Sequence, residues 1–148
     1  MNAADRTILR HMQRDATLSV ADLADIAGIS KSACWRRIQK LEQQGVIRSR
    51  VTLLEPKEVD LSLTVFITVK TNQHNQAWVR QFTSVTENIP GVLEVHRMGG
   101  DVDYLIKAVV KDMPGYDALY QQLIKADLFD VSASFVMEEL KQTTELPV

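Results

Sequence analysis

The 148-residue chain predicts an α+β fold in two parts, a three-helix head followed by an antiparallel sheet covered by helices. Two serine-led helix starts flank a glycine between residues 18 and 42, and apolar alternation of period two begins at Leu61. From Leu61 onward the apolar periods follow the order strand-helix-strand, strand-helix-strand.

The first helix is expected over Asp5 to Arg14, with Ile8, Leu9 and Met12 on its inner side. Ser19 is placed to cap a second helix, Val20 to Ala27, with Asp22 three residues on and Leu18 and Leu23 spaced as an apolar staple. Gly28 supplies the positive φ that ends this helix abruptly. Ser30 caps the third helix, Ile29 and Cys34 repeat the staple spacing, and Gly45 closes it. At about 100° per residue, Cys34, Ile38 and Leu41 fall on one narrow stripe. Ser32, Arg36, Gln39, Lys40 and Gln43 fall on the opposite side, presenting groups that reach phosphates and base edges in a major groove. A solvated helix face has a similar composition, but two capped helices joined by a glycine turn favour a helix-turn-helix. Val46 to Val51 is expected as a short β-extension that sets Arg48 and Arg50 beside DNA as a wing; an edge strand with solubilising arginines is the alternative. The head then spans residues 1–52, and 53–60, containing Pro56, is the linker.

Residues 61–148 carry the second part. Leu61 to Val69 is a strand with one strongly apolar face, and Asn75 to Glu87 a helix with Trp78, Phe82 and Val85 inward. Strands Val92 to Met98 and Val102 to Val110 flank Gly99-Gly100-Asp101. Asp112 caps a helix with Pro114 in its first turn and Tyr116, Leu119, Tyr120 and Leu123 inward. The last strand is expected over Val131 to Glu139, with Val131, Ala133, Phe135 and Met137 on one side. This order gives a ferredoxin-like βαββαβ sandwich. The other sheet face, assigned to Phe66, Tyr104, Ile106 or their alternates, is too apolar to stay wet, so a partner subunit is expected there.

Composition narrows the classes of function. Residues 1–50 hold nine Lys/Arg against five Asp/Glu, whereas the rest holds eight against fourteen, so a net charge of −2 hides a basic third. That asymmetry fits a DNA reader joined to a part with another task and argues against a nucleic-acid coat protein. No apolar run approaches a membrane span and no signal pattern opens the chain, so a cytoplasmic, nucleoid-associated location is expected, with no membrane partner. One cysteine excludes a disulfide within the chain, and no Cys/His cluster points to a metal or other cofactor.

Read together, Asp5-Arg-Thr-Ile-Leu, Leu23-Ala-Asp-Ile-Ala-Gly-Ile-Ser-Lys, Cys34-Trp-Arg-Arg-Ile-Gln-Lys-Leu-Glu-Gln-Gln-Gly-Val-Ile, Gly100-Asp-Val-Asp-Tyr-Leu-Ile-Lys and Val136-Met-Glu-Glu-Leu-Lys make the chain resemble the Lrp/AsnC, or feast/famine, regulators. The resemblance implies a winged helix-turn-helix and a sheet domain that dimerises, binds a small amino acid as allosteric effector, and joins dimers into tetramers, octamers or larger rings. Trp35 is bulkier than the residue usual in many members, and Ser49-Arg50 stands where Gly-Tyr is common. On this reading Ser32 and Arg36 read base edges of double-stranded DNA, and Lys31, Lys40, Arg48 and Arg50 hold phosphates. Ser19, Ala33, Trp35 and Gln39 complete the DNA-facing set. Arg37, beside the core stripe, is assigned to an ion pair with an acid such as Asp5.

For the effector, Gly99 and Gly100 allow backbone N–H groups to approach a carboxylate, and Asp101 and Asp103, two apart, share a face that meets an ammonium. A plain glycine hairpin with polar rim residues is the alternative. Met98 and Tyr104 are placed at the side-chain end, and the resemblance adds Ser134 and Val136.

These readings make the chain a sequence-specific, amino-acid-responsive transcriptional regulator. One rival is an architectural, nucleoid-type DNA binder without effector response. Another is an enzyme of amino-acid metabolism, but His11, His74 and His96 lie on separate elements, and no nucleophile-base pair or phosphate loop appears, so no catalytic residue is assigned.

Overall fold

Helix α1 (Ala3–Arg14) starts two residues before the expected position because Asn2 caps it. The Asn2 side chain accepts the Asp5 N–H at 3.0 Å, and the Asp5 carboxylate accepts the Asn2 N–H at 2.9 Å. Helix α2 (Val20–Ala27) has the expected Ser19–Asp22 capping box, and Gly28 ends it at φ +65°. Helix α3 (Lys31–Gln43) starts at Ser30, whose hydroxyl accepts the Ala33 N–H. Ile8, Leu23, Ala24, Cys34 and Ile38 form the core of the head, with Met12, Leu18 and Ile47 packed against it. A helix as short as α2 draws its stability from this packing.

The computed structural model describes all 148 residues and divides them into two units: Met1–Leu53 together with Leu140–Val148, and Leu54–Glu139. The C-terminal tail thus differs from the expected boundary. It lies against α1, where the Gln13 side chain donates to the Leu146 carbonyl and accepts the Leu146 N–H, and Arg14 pairs with Glu145 at 2.8 Å. Contacts between residues more than 130 apart leave no local pattern in a sequence.

The second unit holds β1 (Leu63–Lys70), α4 (Gln76–Glu87), β2 (Val92–Arg97), β3 (Tyr104–Val110), α5 (Met113–Leu123) and β4 (Asp130–Phe135). The sheet is antiparallel with strand order β2-β3-β1-β4. Val65, Ile67 and Val69 stand beside Ala108, Ile106 and Tyr104 on β3 and beside Phe135, Ala133 and Val131 on β4, and this face is covered by Trp78, Phe82, Leu119 and Leu123 from the helices. Each fully buried aliphatic side chain here contributes about 1.5–3 kcal/mol.

Three expectations are corrected, the first by strand register. Tyr104 and Ile106 belong to the helix-covered face, so the open face carries their alternates, Leu105 and Lys107, beside Thr68 and Phe66. Both faces of β3 carry apolar residues, with Lys107 the one polar residue on the open side, so alternation is a weak guide to which is inward. Strand β4 ends at Phe135 and not at Glu139, and Met137, expected on the strand beside Phe135, is 95% exposed. Val46 to Val51 forms no strand. It leaves α3 with the Val46 and Ile47 N–H groups on the Leu41 carbonyl, and a six-residue segment with no strand beside it gains no ladder hydrogen bonds.

Candidate functional site

On α3 the buried stripe is Cys34, Ile38 and Leu41, as the 3.6-residue period requires. Burial pushes the Cys34 thiol up in pKa, against the opposing pull of Arg37, so the sulfur stays protonated and packs as an apolar group. Arg37 donates to Asp5 at 2.9 Å, the pairing its position beside the stripe predicts. Burial opposes ionisation of Asp5, but the Asn2 N–H and the Arg37 guanidinium outweigh it and hold the pKa below the ordinary carboxylate value.

The opposite side is open. Lys31, Ser32, Arg36 and Lys40 are exposed, Trp35 is 55% exposed, and Ala33 and Gln39 are half-buried. Arg36, Lys31 and Lys40 have no ion-pair partner in the chain. Ser32 shares a hydroxyl contact of 3.2 Å with Ser30. Ser19 is exposed, but its hydroxyl donates to Asp22 at 2.6 Å while accepting the Asp22 N–H, so its first task is the cap. Arg48 is exposed.

Glu42 organises this face, a role the sequence reading missed. Its carboxylate accepts from Gln39 at 3.1 Å and pairs with Arg50, tying the post-helical segment to α3. Gln39 and Glu42 are three residues apart on one helix, and that spacing was the available signal.

The glycine loop lies between β2 and β3. Met98 N–H donates to the Asp103 carbonyl at 2.8 Å, and Asp103 N–H donates to Val69 O at 3.0 Å. Gly99, Gly100 and Asp101 are exposed, Gly100 has φ +122°, and added Cβ atoms at either glycine would meet nothing within 4 Å. Asp103 differs from its expected partnership with Asp101: its carboxylate accepts the Thr71 N–H at 2.9 Å and fixes the end of β1. Tyr104 is buried against Phe82, at 4.7 Å between ring centroids, and Trp78.

Ser134 and Val136 do not meet this loop within one chain. Tyr104 pairs with Val69, whereas Ser134 pairs with Phe66 on the far side of β1. That offset is three residues along the strand, about 10 Å, and two strand spacings across, roughly 10 Å more. A cavity of about 420 Å³ lies between α4 and β2, lined by Phe82, Thr86, Val92, Arg97 and Tyr104, and only Tyr104 belongs to the expected effector set.

Residues 1–48 match a winged helix-turn-helix DNA-binding model, and residues 64–146 match the Lrp/AsnC ligand binding domain. The chain belongs to the Lrp/AsnC family. The glutamate uptake regulatory protein of Zymomonas mobilis is 46% identical over 145 residues, covering 97% of this chain and 88% of the relative. The crystal structure of an AsnC family transcriptional regulator from Agrobacterium tumefaciens superposes with a TM-score of 0.94 at 50% identity, covering 99% of this chain and 97% of that one. A transcriptional regulator from Neisseria meningitidis in complex with L-Met gives 0.93 at 30% identity over 99% and 96%. No helix is long and apolar enough to cross a membrane.

Proposed function

We propose that this Lrp/AsnC regulator inserts α3 into the major groove of an operator and that a small amino acid shifts its DNA affinity or its assembly state. The observation that carries the reading is the exposed face of α3, where Ser32 and the unpaired Arg36 project opposite the buried stripe, with Lys31 and Lys40 alongside. Ser32 and Arg36 read base edges; Lys31, Lys40, Arg48 and Arg50 hold phosphates; Ser19, Ala33, Trp35 and Gln39 border them.

The open sheet face, with Phe66 37% exposed at its centre beside Leu105 and Lys107, is where a second copy packs to make the dimer. A dimer presents two α3 helices to half-sites about one helical turn apart. The effector site draws Met98, Gly99, Gly100, Asp101 and Tyr104 from one chain. Ser134 and Val136, two strands away, complete it from a neighbouring copy in a tetramer or octamer. Asp103 shapes the loop through Thr71 and adds its second carboxylate oxygen. The amino-acid class is supported by the L-Met complex of the Neisseria relative. Binding across copies then favours one assembly and with it one spacing of recognition helices.

The test is binding to the chain's own upstream region and to random DNA across a salt series, with and without each of the twenty amino acids. A salt-dependent preference for the upstream region supports DNA reading, and loss of that preference refutes it. An effector at a hundred times its dissociation constant adds about 2.7 kcal/mol, visible as a thermal shift. If no amino acid moves the melting temperature, the sedimentation mass or the DNA affinity, the chain is an architectural DNA binder instead.

A further inference from the structure

Trp35 is the more exposed of the two tryptophans. It stands one residue, about 100°, from the buried stripe of α3, and 55% of its surface is exposed. It is outside the core of the head and stacks on no aromatic ring. The other tryptophan, Trp78, is 3% exposed and donates its indole N–H to the Asp127 carbonyl. An indole carries one of the largest apolar surfaces of any side chain, so leaving half of it wet in a small helical head calls for a partner.

The surroundings say what that partner is. Lys31 and Arg36 flank Trp35, Ser32 and Gln39 lie one turn to either side, and the nearest acid on the helix, Glu42, is engaged by Gln39 and Arg50. An apolar plate in a cationic, hydroxyl- and amide-bearing setting complements the major groove, whose charge is negative and whose base edges carry one apolar group, the thymine C5 methyl. Bases in a duplex are stacked, so an inserted indole meets their edges and not their planes. Three residues from Ser32 is about 4.5 Å along the helix axis, on the order of one base-pair rise, so Trp35 reaches a step beside the one that Ser32 addresses.

We propose that Trp35 is a specificity-determining residue that selects thymine over cytosine at one position of each half-site by covering its C5 methyl. This rests on α3 entering the major groove. Arg36 and Ser32 read polar edges, whereas Trp35 reads the methyl group those side chains do not distinguish.

The experiment selects an operator from a randomised duplex pool with the full chain. Each thymine is then replaced by deoxyuracil, which lacks only the methyl, and affinity is measured at one salt concentration. At a single position per half-site, deoxyuracil is expected to weaken the wild-type protein about fourfold, the worth of one buried methyl. Trp35→Ala is expected to bind the thymine and deoxyuracil operators equally, and Trp35→Phe to keep most of the discrimination. At that position 5-methylcytosine in place of cytosine should strengthen the wild type and leave Trp35→Ala unchanged. Far-UV circular dichroism and the melting temperature verify that both variants fold. If the wild type is indifferent to deoxyuracil everywhere while Arg36→Ala still relaxes sequence preference, the Trp35 proposal is overturned and DNA reading survives. If Trp35→Ala changes the sedimentation mass and leaves thymine discrimination intact, the indole serves an interface between copies and the proposal is likewise overturned. A pool that yields no preferred sequence defeats the proposal together with the reading beneath it.

Discussion

Helix α3 and the Met98–Asp103 loop both present groups to solvent, yet the proposed function completes them by different means. Everything that shapes the α3 face lies within the head: the Ser30 cap, the buried stripe, the Arg37–Asp5 pair and the Gln39–Glu42–Arg50 chain. The loop has its backbone fixed by Met98–Asp103 and Thr71–Asp103 bonds, but Ser134 and Val136 sit two strands away. A surface completed by folding is present whenever the chain is folded. A surface completed by a second copy is present only in an assembly, so its occupancy can control that assembly. On the function proposed above, regulation belongs to the loop and recognition to the helix.

The largest expected effect comes from breaking assembly while leaving both units folded. Phe66→Glu places a carboxylate at the centre of the open sheet face, with Ser134 and Lys107 as its cross-strand neighbours. Analytical ultracentrifugation should show a monomer, and operator affinity should fall about a hundredfold or more as two linked half-sites become one. Amino-acid thermal shifts should vanish with it. An unchanged mass would place the interface elsewhere and dissolve the contrast between the two surfaces.

Arg36→Ala acts on the other side of the comparison. Operator affinity is expected to drop about ten- to hundredfold with relaxed sequence preference, the worth of a lost two-bonded base contact. Sedimentation mass and amino-acid thermal shifts should stay at wild-type values. A loss of the effector response in this variant would show that the two surfaces are not separable in this way.

The same division governs what was legible in the sequence. Ser19, Gly28, Ser30 and Asp112 act within a few residues of themselves, and the caps and helix ends they announce are where the pattern puts them. Arg37–Asp5 was readable because a stripe of fixed period leaves Arg37 one inner flank to occupy. The inward face of β3 was hard to read, because Tyr104, Ile106 and Ala108 on one side face Leu105 and Val109 on the other, where Lys107 is the one polar residue. Register with β1 decides that question, and register is non-local. The structural bond of Asp103 was not readable because its Thr71 partner is 32 residues away. The Gln13–Leu146 and Arg14–Glu145 contacts were invisible for the same reason.

Asp5→Asn tests whether the head's internal framing supports its outer face. The side chain caps α1 and pairs with Arg37 while only 15% exposed, so losing its charge should cost about 1–2 kcal/mol near neutral pH by chemical denaturation. The folded pKa of Asp5 lies below the unfolded one, so its stabilisation is complete above the ordinary carboxylate pKa of about 3.9 and is lost as pH falls through the folded value. The wild type and the variant should therefore converge in stability only as pH falls through the folded-state pKa of Asp5, below the ordinary carboxylate value. Divergence that persists in acid would assign the cost to packing instead of charge.

The smallest effect has the opposite sign. Glu42 is an acid on the face proposed to meet DNA, and its pairing with Arg50 competes with phosphate for a cation assigned to the backbone. Glu42→Gln keeps an oxygen for Gln39 but releases Arg50, so DNA affinity at low salt should rise about two- to threefold, with the salt slope steepened by about one phosphate contact. The gain should fade as salt screens the added charge. In Arg50→Ala the same Glu42 has no cation to hold, so adding Glu42→Gln should restore much less of the lost affinity than it adds in the wild type. If Glu42→Gln instead weakens binding to the level of Arg50→Ala, the pair positions Arg50 for DNA and does not restrain it. Competition titrations of the four proteins at two salt concentrations distinguish a brake from a brace.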